Sequence, residues 1–174
     1  MQRVSIVGNS GSGKSTLAAA LARRMGVPFL ELDSIYHQPG WTPLPRDEFR
    51  ARVDAVAAGD HWVIDGNYTA VRDLVWARAD TVVWIDLARP LVMRRVIGRT
   101  LRRAALRQEL WNGNREPWSN WLTLDPERSI IMWSWTQHAK YRVRYVDAMA
   151  DPALAHLTFV RLRSPAEVKA FLNG

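Results

Sequence analysis

One stretch near the N-terminus decides the fold: Gly8-Asn9-Ser10-Gly11-Ser12-Gly13-Lys14-Ser15. It fits the pattern G-x-x-x-x-G-K-[ST] at every position. A polyphosphate needs several donors that converge on it without side chains in the way. Glycines let backbone N–H groups turn inward, and the N-terminus of a following helix adds its partial positive charge. We therefore expect this stretch, here called the P-loop, to bind the phosphates of a nucleoside triphosphate.

The residue types at the end of the P-loop have separate chemical roles. Lys14 is placed to reach the β- and γ-phosphates, and the hydroxyl of Ser15 is placed to bind Mg²⁺. Thr16 completes the run of consecutive residues predicted to bind the nucleotide, which otherwise consists of the eight residues quoted above. The structural alternative is a glycine-rich turn with a surface lysine. The context argues against it, because the pattern directly follows an apolar strand and opens an amphipathic helix.

The composition is that of an ordinary globular domain. The chain has 174 residues, 48% hydrophobic and 24% charged, which predicts a single domain over residues 1–174. It has no cysteine, which excludes a disulfide framework and a cysteine nucleophile. We see no signal peptide and no membrane-length apolar run, so we expect a cytoplasmic protein without a membrane partner. The net charge of +7 favours anionic partners such as nucleotides or nucleic acid.

Apolar runs alternate with segments of helical period, which predicts an α/β fold with a parallel sheet covered on both faces. Strands are predicted at residues 3–7, 28–32, 62–65, 81–87 and 156–161. Helices are predicted at residues 14–25, 46–58, 69–77 and 90–110, from Asp125-Pro126 to 149, and after the capping box Ser164-Pro165-Ala166-Glu167. Residues 34–45 are predicted to form a loop, and residues 111–124 an irregular segment.

Acidic residues follow two of the predicted strands, at the edge where open α/β sheets bind ligands. Asp65 is predicted to orient the metal and its waters, with turn capping as the alternative role. Asp33 is predicted to hold an acceptor hydroxyl or take its proton, and Glu31 is a weaker candidate on the same face. Asp86 also ends a strand, but we expect it to be a local cap.

The predicted helix at residues 90–110 is rich in arginine. The stretch 89–115 has eight arginines against one acid. Arg95, Arg99 and Arg102 lie on one helical face, with Arg103 beside them. Arginines that close over a phosphate neutralise its charge during phosphoryl transfer, so Arg95 and Arg99 are predicted to be catalytic together with Lys14 and Asp33. A solvated basic face or a nucleic-acid footprint is the alternative.

Tryptophans and histidines carry weaker signals. Five of the nine tryptophans lie between residues 111 and 135: Trp111, Trp118, Trp121, Trp133 and Trp135. We expect them to form the core of a small subdomain, although they could instead stack on a base. The four histidines show no metal-ligand spacing, so they are interpreted as structural or surface residues.

Several short stretches together carry a resemblance to a known family. They are the P-loop, Trp62-Val63-Ile64-Asp65 running into Gly66-Asn67-Tyr68, and Ile85-Asp86 followed by Arg95-Val96-Ile97-Gly98-Arg99. In this combination the chain resembles the adenylate-kinase-like P-loop kinases. Leu32-Asp33, Gly40-Trp41 and Ile64-Asp65-Gly66-Asn67-Tyr68 are most similar to the branch named for topology modulation, the FlaR-related proteins.

The resemblance implies a three-layer P-loop NTPase fold, with five parallel strands in the order 2-3-1-4-5 and a helical lid. It implies an acceptor-binding segment at about residues 34–60 and a lid at about residues 100–137. Arg95 and Arg99 match arginines at the lid hinge that stabilise the moving phosphate, and Arg142 is similar to a further phosphate-contacting arginine. Adenylate kinases read Asp-Gly-Phe-Pro-Arg where this chain has Asp65-Gly66-Asn67-Tyr68-Thr69, so their acceptor-phosphate arginine is missing here.

The leading interpretation is a kinase that moves the γ-phosphate of ATP, with Mg²⁺, to a small-molecule or nucleotide acceptor. Two other interpretations stay open. A nucleic-acid-associated ATPase is motivated by the +7 charge and the arginine-rich helix. A nucleotide-binding regulator without turnover would need the P-loop alone.

Overall fold

A parallel β-sheet forms the centre of the structure, a computed structural model that describes residues 1–115, 125 and 129–174. Its strands are β1 (Arg3–Gly8), β2 (Phe29–Glu31), β3 (Trp62–Asp65), β4 (Thr81–Ile85) and β5 (Thr158–Leu162). Neighbouring strands run parallel in the order β2-β3-β1-β4-β5, which confirms the predicted order. The P-loop therefore follows the middle strand, with β3 and β4 on either side of β1.

Helices cover both faces of this sheet. They are α1 (Lys14–Met25), α2 (Leu32–Tyr36), α3 (Arg46–Ala57), α4 (Thr69–Arg78), α5 (Arg89–Ala105), α6 (Ile130–Ala150) and α7 (Pro165–Asn173). One apolar cluster joins α1, α5 and α7 to the sheet, and a second joins α3, α4 and α6 to its other face. The strands β1, β3 and β4 are nearly continuous buried apolar runs, as parallel strands covered on both faces require. The predicted three-layer architecture is confirmed.

The predicted loop at residues 34–45 is wrong at its start, where α2 forms. Leu32, Ile35 and Tyr36 have the i, i+3, i+4 spacing of a helix, and all three pack in the core cluster that contains α3 and α4. The prolines and the glycine that follow obscured this short period. As a result Asp33 lies in the first turn of α2 and not at the end of a strand.

Two other helix boundaries differ from the prediction. The arginine-rich helix α5 ends at Ala105 and not at residue 110, because Arg107 has a left-handed φ of 46° and the chain turns there. The predicted helix start at Asp125-Pro126 is wrong, since Ser129 is extended (φ −110°, ψ 113°) and caps α6, which begins at Ile130. Residues 116–124 and 126–128, on which part of these predictions falls, lie outside the described residues.

The last helix, α7, begins as the capping box predicts. The Ser164 hydroxyl accepts a hydrogen bond from the Glu167 N–H at 3.2 Å, and the Glu167 carboxylate accepts one from the Arg163 N–H at 2.9 Å. Over the described ranges of the chain, no helix combines the length and apolar character needed to cross a bilayer.

Candidate active site

The P-loop is a tight turn between β1 and α1, and its glycines are required by space as well as by conformation. Gly11 and Gly13 have left-handed φ values of 80° and 95°. A Cβ on Gly11 would lie 2.4 Å from Val96 Cγ2 and 2.9 Å from the Val92 carbonyl oxygen, both in α5. Since a side chain cannot fit there, glycine lets α5 pack directly on the turn. Thr16, the last residue of the predicted nucleotide-binding set, is exposed on α1.

Asn67 holds the first residue of the P-loop. Its side-chain amide donates to the Gly8 carbonyl at 2.6 Å, and its side-chain oxygen accepts from the Gly8 N–H at 3.1 Å. The Tyr145 hydroxyl donates to the same Asn67 oxygen at 2.8 Å. Gly8 is buried, so these bonds satisfy backbone groups that water cannot reach. Asn67 thereby connects β1, the β3–α4 loop and α6.

Replacing Asn67 with alanine should lower the free energy of unfolding by about 2 kcal/mol, because two buried backbone groups lose their partners. Urea denaturation monitored by circular dichroism measures this change. Asn173→Ala, at the exposed C-terminal end of α7, is the control and should unfold at the wild-type urea concentration. An unchanged midpoint for Asn67→Ala would show that water replaces the side chain without loss.

A second connection joins the P-loop to α6. The buried Asn9 side chain donates to the Ser134 carbonyl at 2.7 Å, and the Ser134 hydroxyl donates to the Ser10 carbonyl at 3.1 Å. The turn is therefore fixed from α6, by a residue at the C-terminal end of the predicted lid. The sequence carried no signal for Ser134, because it lies 124 residues from its partner Ser10.

Lys14 lies at the start of α1, half-buried and surrounded by carboxylates. Burial alone would lower the pKa of its ammonium group, but the nearby carboxylates of Asp65 and Asp33 raise it, and the net shift is upward. Arg99 opposes them with a like charge. Lys14 is therefore held charged, with the arginine of α5 close by.

Ser15 and Asp65 meet directly beside Lys14. The Ser15 hydroxyl donates to Asp65 Oδ2 at 2.5 Å, and Asp65 is only 1% exposed. Burial raises the pKa of Asp65 to about 6, although Lys14 and the Ser15 hydrogen bond lower it in part. Asp65 Oδ1 is buried and has no hydrogen-bond partner among the described residues. A hydroxyl and a carboxylate, one of whose oxygens is still free to accept, are the hard oxygen donors that suit Mg²⁺ with its retained waters.

Two arginines of α5 donate hydrogen bonds to the P-loop. Arg95 Nη1 donates to the Ser12 carbonyl at 3.2 Å, and Arg99 Nη2 donates to the Ser10 hydroxyl at 2.8 Å. Packing of Val92 and Val96 against Gly11 sets this approach of α5. Arg102, one turn further on, is exposed. Four of the predicted site groups, Lys14, Ser15, Arg95 and Arg99, are thus brought to one loop.

Asp86 is an ion-pair centre, so the expectation of a local cap is wrong. Arg161 donates to Asp86 Oδ2 from Nε at 3.0 Å and from Nη2 at 2.5 Å, and Arg142 Nε lies 3.2 Å from Asp86 Oδ1. The Asp86 side chain is only 3% exposed, which makes the paired arginines necessary. Arg142, the predicted phosphate ligand on α6, is therefore paired with the carboxylate that follows β4, and its side chain is 54% exposed.

Asp33 and its neighbours form the other side of the site. The Tyr68 hydroxyl donates to Asp33 Oδ1 at 2.6 Å and lies 3.3 Å from His37 Nε2. The Trp111 indole N–H donates to Glu31 Oε2 at 2.9 Å, and its ring stacks on His37 with centroids 5.9 Å apart. The end of β2, the helix α2 and Trp111 of the predicted lid thus meet at one place. We call this place the acceptor side, because the sequence predicts that Asp33 holds the acceptor.

The fold is shared with known kinases, and the P-loop lies within the match to an ATPase family model. The model of the ATPase family associated with various cellular activities (AAA) matches residues 4–86. A shikimate kinase from Acinetobacter baumannii, solved in complex with shikimate, is 16% identical over 99% of this chain and 89% of that chain, with a TM-score of 0.57. A gluconokinase from Sinorhizobium meliloti 1021 is 20% identical over 99% and 91% of the two chains, with a TM-score of 0.51. A comparison with curated proteins finds no match.

The chain has the fold of a P-loop kinase. The predicted resemblance to P-loop kinases is confirmed at this level of fold. The branch named for topology modulation is matched by neither kinase structure and stays a prediction from the residues.

Sequence reasoning missed three contributors to the acceptor side of this P-loop kinase fold. From the sequence alone, Tyr68 has no predicted role of its own. His37 is interpreted as a structural or surface residue, and Trp111 is expected in the core of a small subdomain. The signal for Tyr68 was present in the sequence, since it follows β3 by three residues as Asp33 follows β2 by two. His37 caps the C-terminus of the short helix α2, and Trp111 begins the 3₁₀ turn Trp111–Gly113; neither of these short elements has a strong sequence pattern.

The predicted tryptophan core is wrong for the two members on α6. Trp133 is 39% exposed and Trp135 is 49% exposed, with the Arg89 guanidinium 4.9 Å from the Trp135 ring centroid. Trp118 and Trp121 lie outside the described residues. The aromatic residues of this region therefore serve different surfaces, and Trp111 alone of the described three is tied to the acceptor side.

Proposed function

We propose that this protein is a kinase that transfers the γ-phosphate of Mg·ATP to a hydroxyl group of a small molecule. The observation that carries the proposal is the meeting of Lys14, Ser15 and Asp65 at a P-loop that Arg95 and Arg99 also contact. The adenylate-kinase-like branch named for topology modulation is part of the same proposal, on the residues quoted for it. The kinase fold shared with the shikimate kinase and the gluconokinase supports a small-molecule acceptor over a polymer.

The nucleotide side is proposed to work by positioning and charge. The backbone N–H groups of the P-loop and the ammonium of Lys14 would hold the β- and γ-phosphates, and Ser15 and Asp65 would hold Mg²⁺. Bound Mg²⁺ supplies neutralisation of the phosphate charge. Arg95 and Arg99 would stabilise the charge on the phosphoryl group as it moves. Arg142 is a further proposed phosphate contact, which would require it to exchange Asp86 for the nucleotide.

The acceptor side is proposed to supply the nucleophile. The acceptor hydroxyl oxygen would attack the γ-phosphorus, the bond from that phosphorus to the β-phosphate oxygen would break, and ADP would leave. Asp33 would accept the hydroxyl proton, and the hydrogen bond that its Oδ1 accepts from the Tyr68 hydroxyl would hold the carboxylate in position. Residues 34–60 and 100–137 are the proposed acceptor-binding segment and lid, and contacts between them support this division: the Asn112 amide donates to the Ser34 carbonyl at 3.0 Å and the Trp41 N–H to Asn114 Oδ1 at 2.9 Å.

The contacts of Arg95 and Arg99 favour phosphoryl transfer over polymer binding. Both donate to the P-loop, whereas a nucleic-acid footprint would direct them away from it. An assay of ADP release over a panel of hydroxylated small molecules, nucleosides and nucleoside monophosphates tests the proposal. If no acceptor raises ADP release above background, the kinase assignment fails. Stimulation by DNA or RNA, weakening steeply with salt, would instead support the ATPase alternative.

Replacing Arg99 with alanine should lower kcat by about 10- to 100-fold with a small change in the KM for ATP, because its charge acts mainly on the transferring phosphate. Steady-state kinetics at saturating acceptor measures both constants. Arg102→Ala is the matched control: Arg102 lies on the same helix, one turn away and exposed. Equal losses in the two variants would indicate a general effect of helix charge and contradict a specific role for Arg99.

A further inference from the structure

We infer that the acceptor is a hydroxylated compound that carries a positively charged amine, bound with its amine at Glu31 and its hydroxyl at Asp33. The inference rests on the proposed function, because it assigns the substrate class of the same site. It comes from the charges and rings that line the acceptor side.

Glu31 and Asp33 are half-buried carboxylates whose partners are neutral. Glu31 accepts from the Trp111 indole N–H, and Asp33 accepts from the Tyr68 hydroxyl. Within the described part of the chain, neither carboxylate forms an ion pair. A negative charge taken partly out of water without a directly paired cation carries a desolvation cost, and a cationic ligand would relieve it.

A third carboxylate makes this side of the site more negative. Glu31 is paired in register with Asp65 across β2 and β3, and Asp33 follows Glu31 by two residues. Lys14 is the described cation that faces these carboxylates, and in the proposed reaction its ammonium is engaged by the phosphates. Bound ATP would add further negative charge beside Glu31 and Asp33. An anionic acceptor would therefore be repelled and a cationic one attracted.

Among the described residues, three of the four arginines of α3 and of the stretch 109–115 are paired with carboxylates. The pairs are Arg50 with Asp73, Arg52 with Glu48, and Arg115 with Glu109. Arg46 is exposed in the first turn of α3. Burial lowers the pKa of His37 despite the charge of Asp33, so its imidazole is neutral near pH 7. The described residues of the acceptor side therefore present two carboxylates, Glu31 and Asp33, beside a neutral imidazole.

Aromatic rings complete a site suited to an ammonium group. The His37 ring lies 5.2 Å from the Trp41 ring and 5.9 Å from the Trp111 ring. Trp41 also donates its indole N–H to the Arg115 carbonyl at 3.0 Å, which holds the ring in place. Trp111 meets Glu31 through its indole N–H, at the edge of the ring, and the ring itself is stacked on His37. An amine paired with Glu31 would therefore lie beside this aromatic group and gain a charge-assisted contact with the carboxylate.

The reaction leaves the amine unchanged. The acceptor hydroxyl oxygen forms the new bond to phosphorus, ADP departs, and the hydroxyl proton goes to Asp33. The product is an amine that carries a phosphate ester. Glu31 is in this account the residue that determines specificity, and Asp33 serves the reacting hydroxyl.

Matched sets of acceptors test the inference. ADP release by the full chain with Mg·ATP is measured for glucosamine, glucose and gluconate, and for ethanolamine, ethylene glycol and glycolate. We expect kcat/KM for the amine of each set to exceed that of its neutral and anionic counterparts by about 10-fold or more, as a charge-assisted contact implies. Preference for the neutral or anionic members overturns the inference.

Substitutions separate a specific contact from general damage. Glu31→Gln should lower the ratio of amine to neutral kcat/KM to about 1, since the charge that selects the amine is gone. Asp147→Asn, which neutralises an exposed carboxylate on α6, should leave the ratio unchanged. A Glu31→Gln variant that keeps the wild-type ratio overturns the assignment of Glu31.

Calorimetry distinguishes failure of the inference from failure of the kinase assignment. Each compound is titrated into the protein loaded with Mg²⁺ and the non-hydrolysable ATP analogue AMP-PNP. Amines that bind through Glu31 without any ADP release support the assigned ligand class and count against the kinase reaction. If the amines are neither bound nor phosphorylated while AMP-PNP binds, the inference is overturned.

Discussion

Replacing Lys14 with alanine should reduce phosphoryl-transfer turnover by about 10³-fold, the scale of loss when a group that stabilises transition-state charge is removed. Lys14 begins α1 at the mouth of the P-loop, beside Asp65, Asp33 and Glu31. Its ammonium is expected both to attract the phosphates and to shield them from these carboxylates. Loss of Lys14 therefore removes an attraction and exposes a repulsion at the same time.

The fold should survive this substitution, which makes the kinetic result interpretable. Lys14 lies in the first turn of α1, and the buried residues that anchor this helix, Leu17 and Leu21, are untouched. Circular dichroism and thermal melting measure the fold, and ADP release measures turnover. Lys140→Ala, an exposed lysine on α6, is the control. Turnover within about 10-fold of wild type in Lys14→Ala would contradict the assigned role of the P-loop lysine.

The parts of the site that local sequence predicts are those built from contiguous residues. The P-loop pattern fixes both its own turn and the start of α1, so Lys14 and Ser15 are located by sequence alone. Asp65 is found because a parallel strand must end at the ligand edge of the sheet. Its contact with Ser15 follows from strand order, since β3 is adjacent to β1.

The parts that the sequence did not predict depend on contacts between distant residues. Asn67 holds Gly8 across 59 residues, and Trp111 reaches Glu31 across 80. Asp86 looked like a cap because its partner Arg161 lies 75 residues further along the chain. A local pattern reports the secondary structure around such a residue, but the identity of its partner is set by packing of the whole sheet.

Replacing Asp65 with asparagine should abolish stabilisation by Mg²⁺ and lower turnover by about 10²- to 10³-fold. The amide keeps the size of the side chain, and its oxygen can still accept the Ser15 hydrogen bond. It lacks the negative charge that a hard divalent cation requires. Thermal melting with ATP, with and without Mg²⁺, measures the first effect: the melting temperature of the wild type should rise with Mg²⁺, and that of the variant should not. Asp60→Asn, an exposed acid before β3, is the control.

The same substitution should have the opposite effect on the stability of the metal-free protein at neutral pH. Burial raises the pKa of Asp65 from 3.8 to about 6, so the folded protein holds this proton more tightly than the unfolded chain does. The wild type therefore loses stability as the pH rises from the unfolded pKa to the folded one, whereas the asparagine variant has no proton to lose. Relative to wild type, the variant should gain about 2 kcal/mol between pH 4 and pH 7, measured by urea denaturation in the presence of a chelator. If the variant is instead destabilised most, relative to wild type, at pH 7, the charge of Asp65 stabilises the folded protein through its interaction with Lys14. A relative gain in stability together with lost turnover would mean that its charge is kept for magnesium.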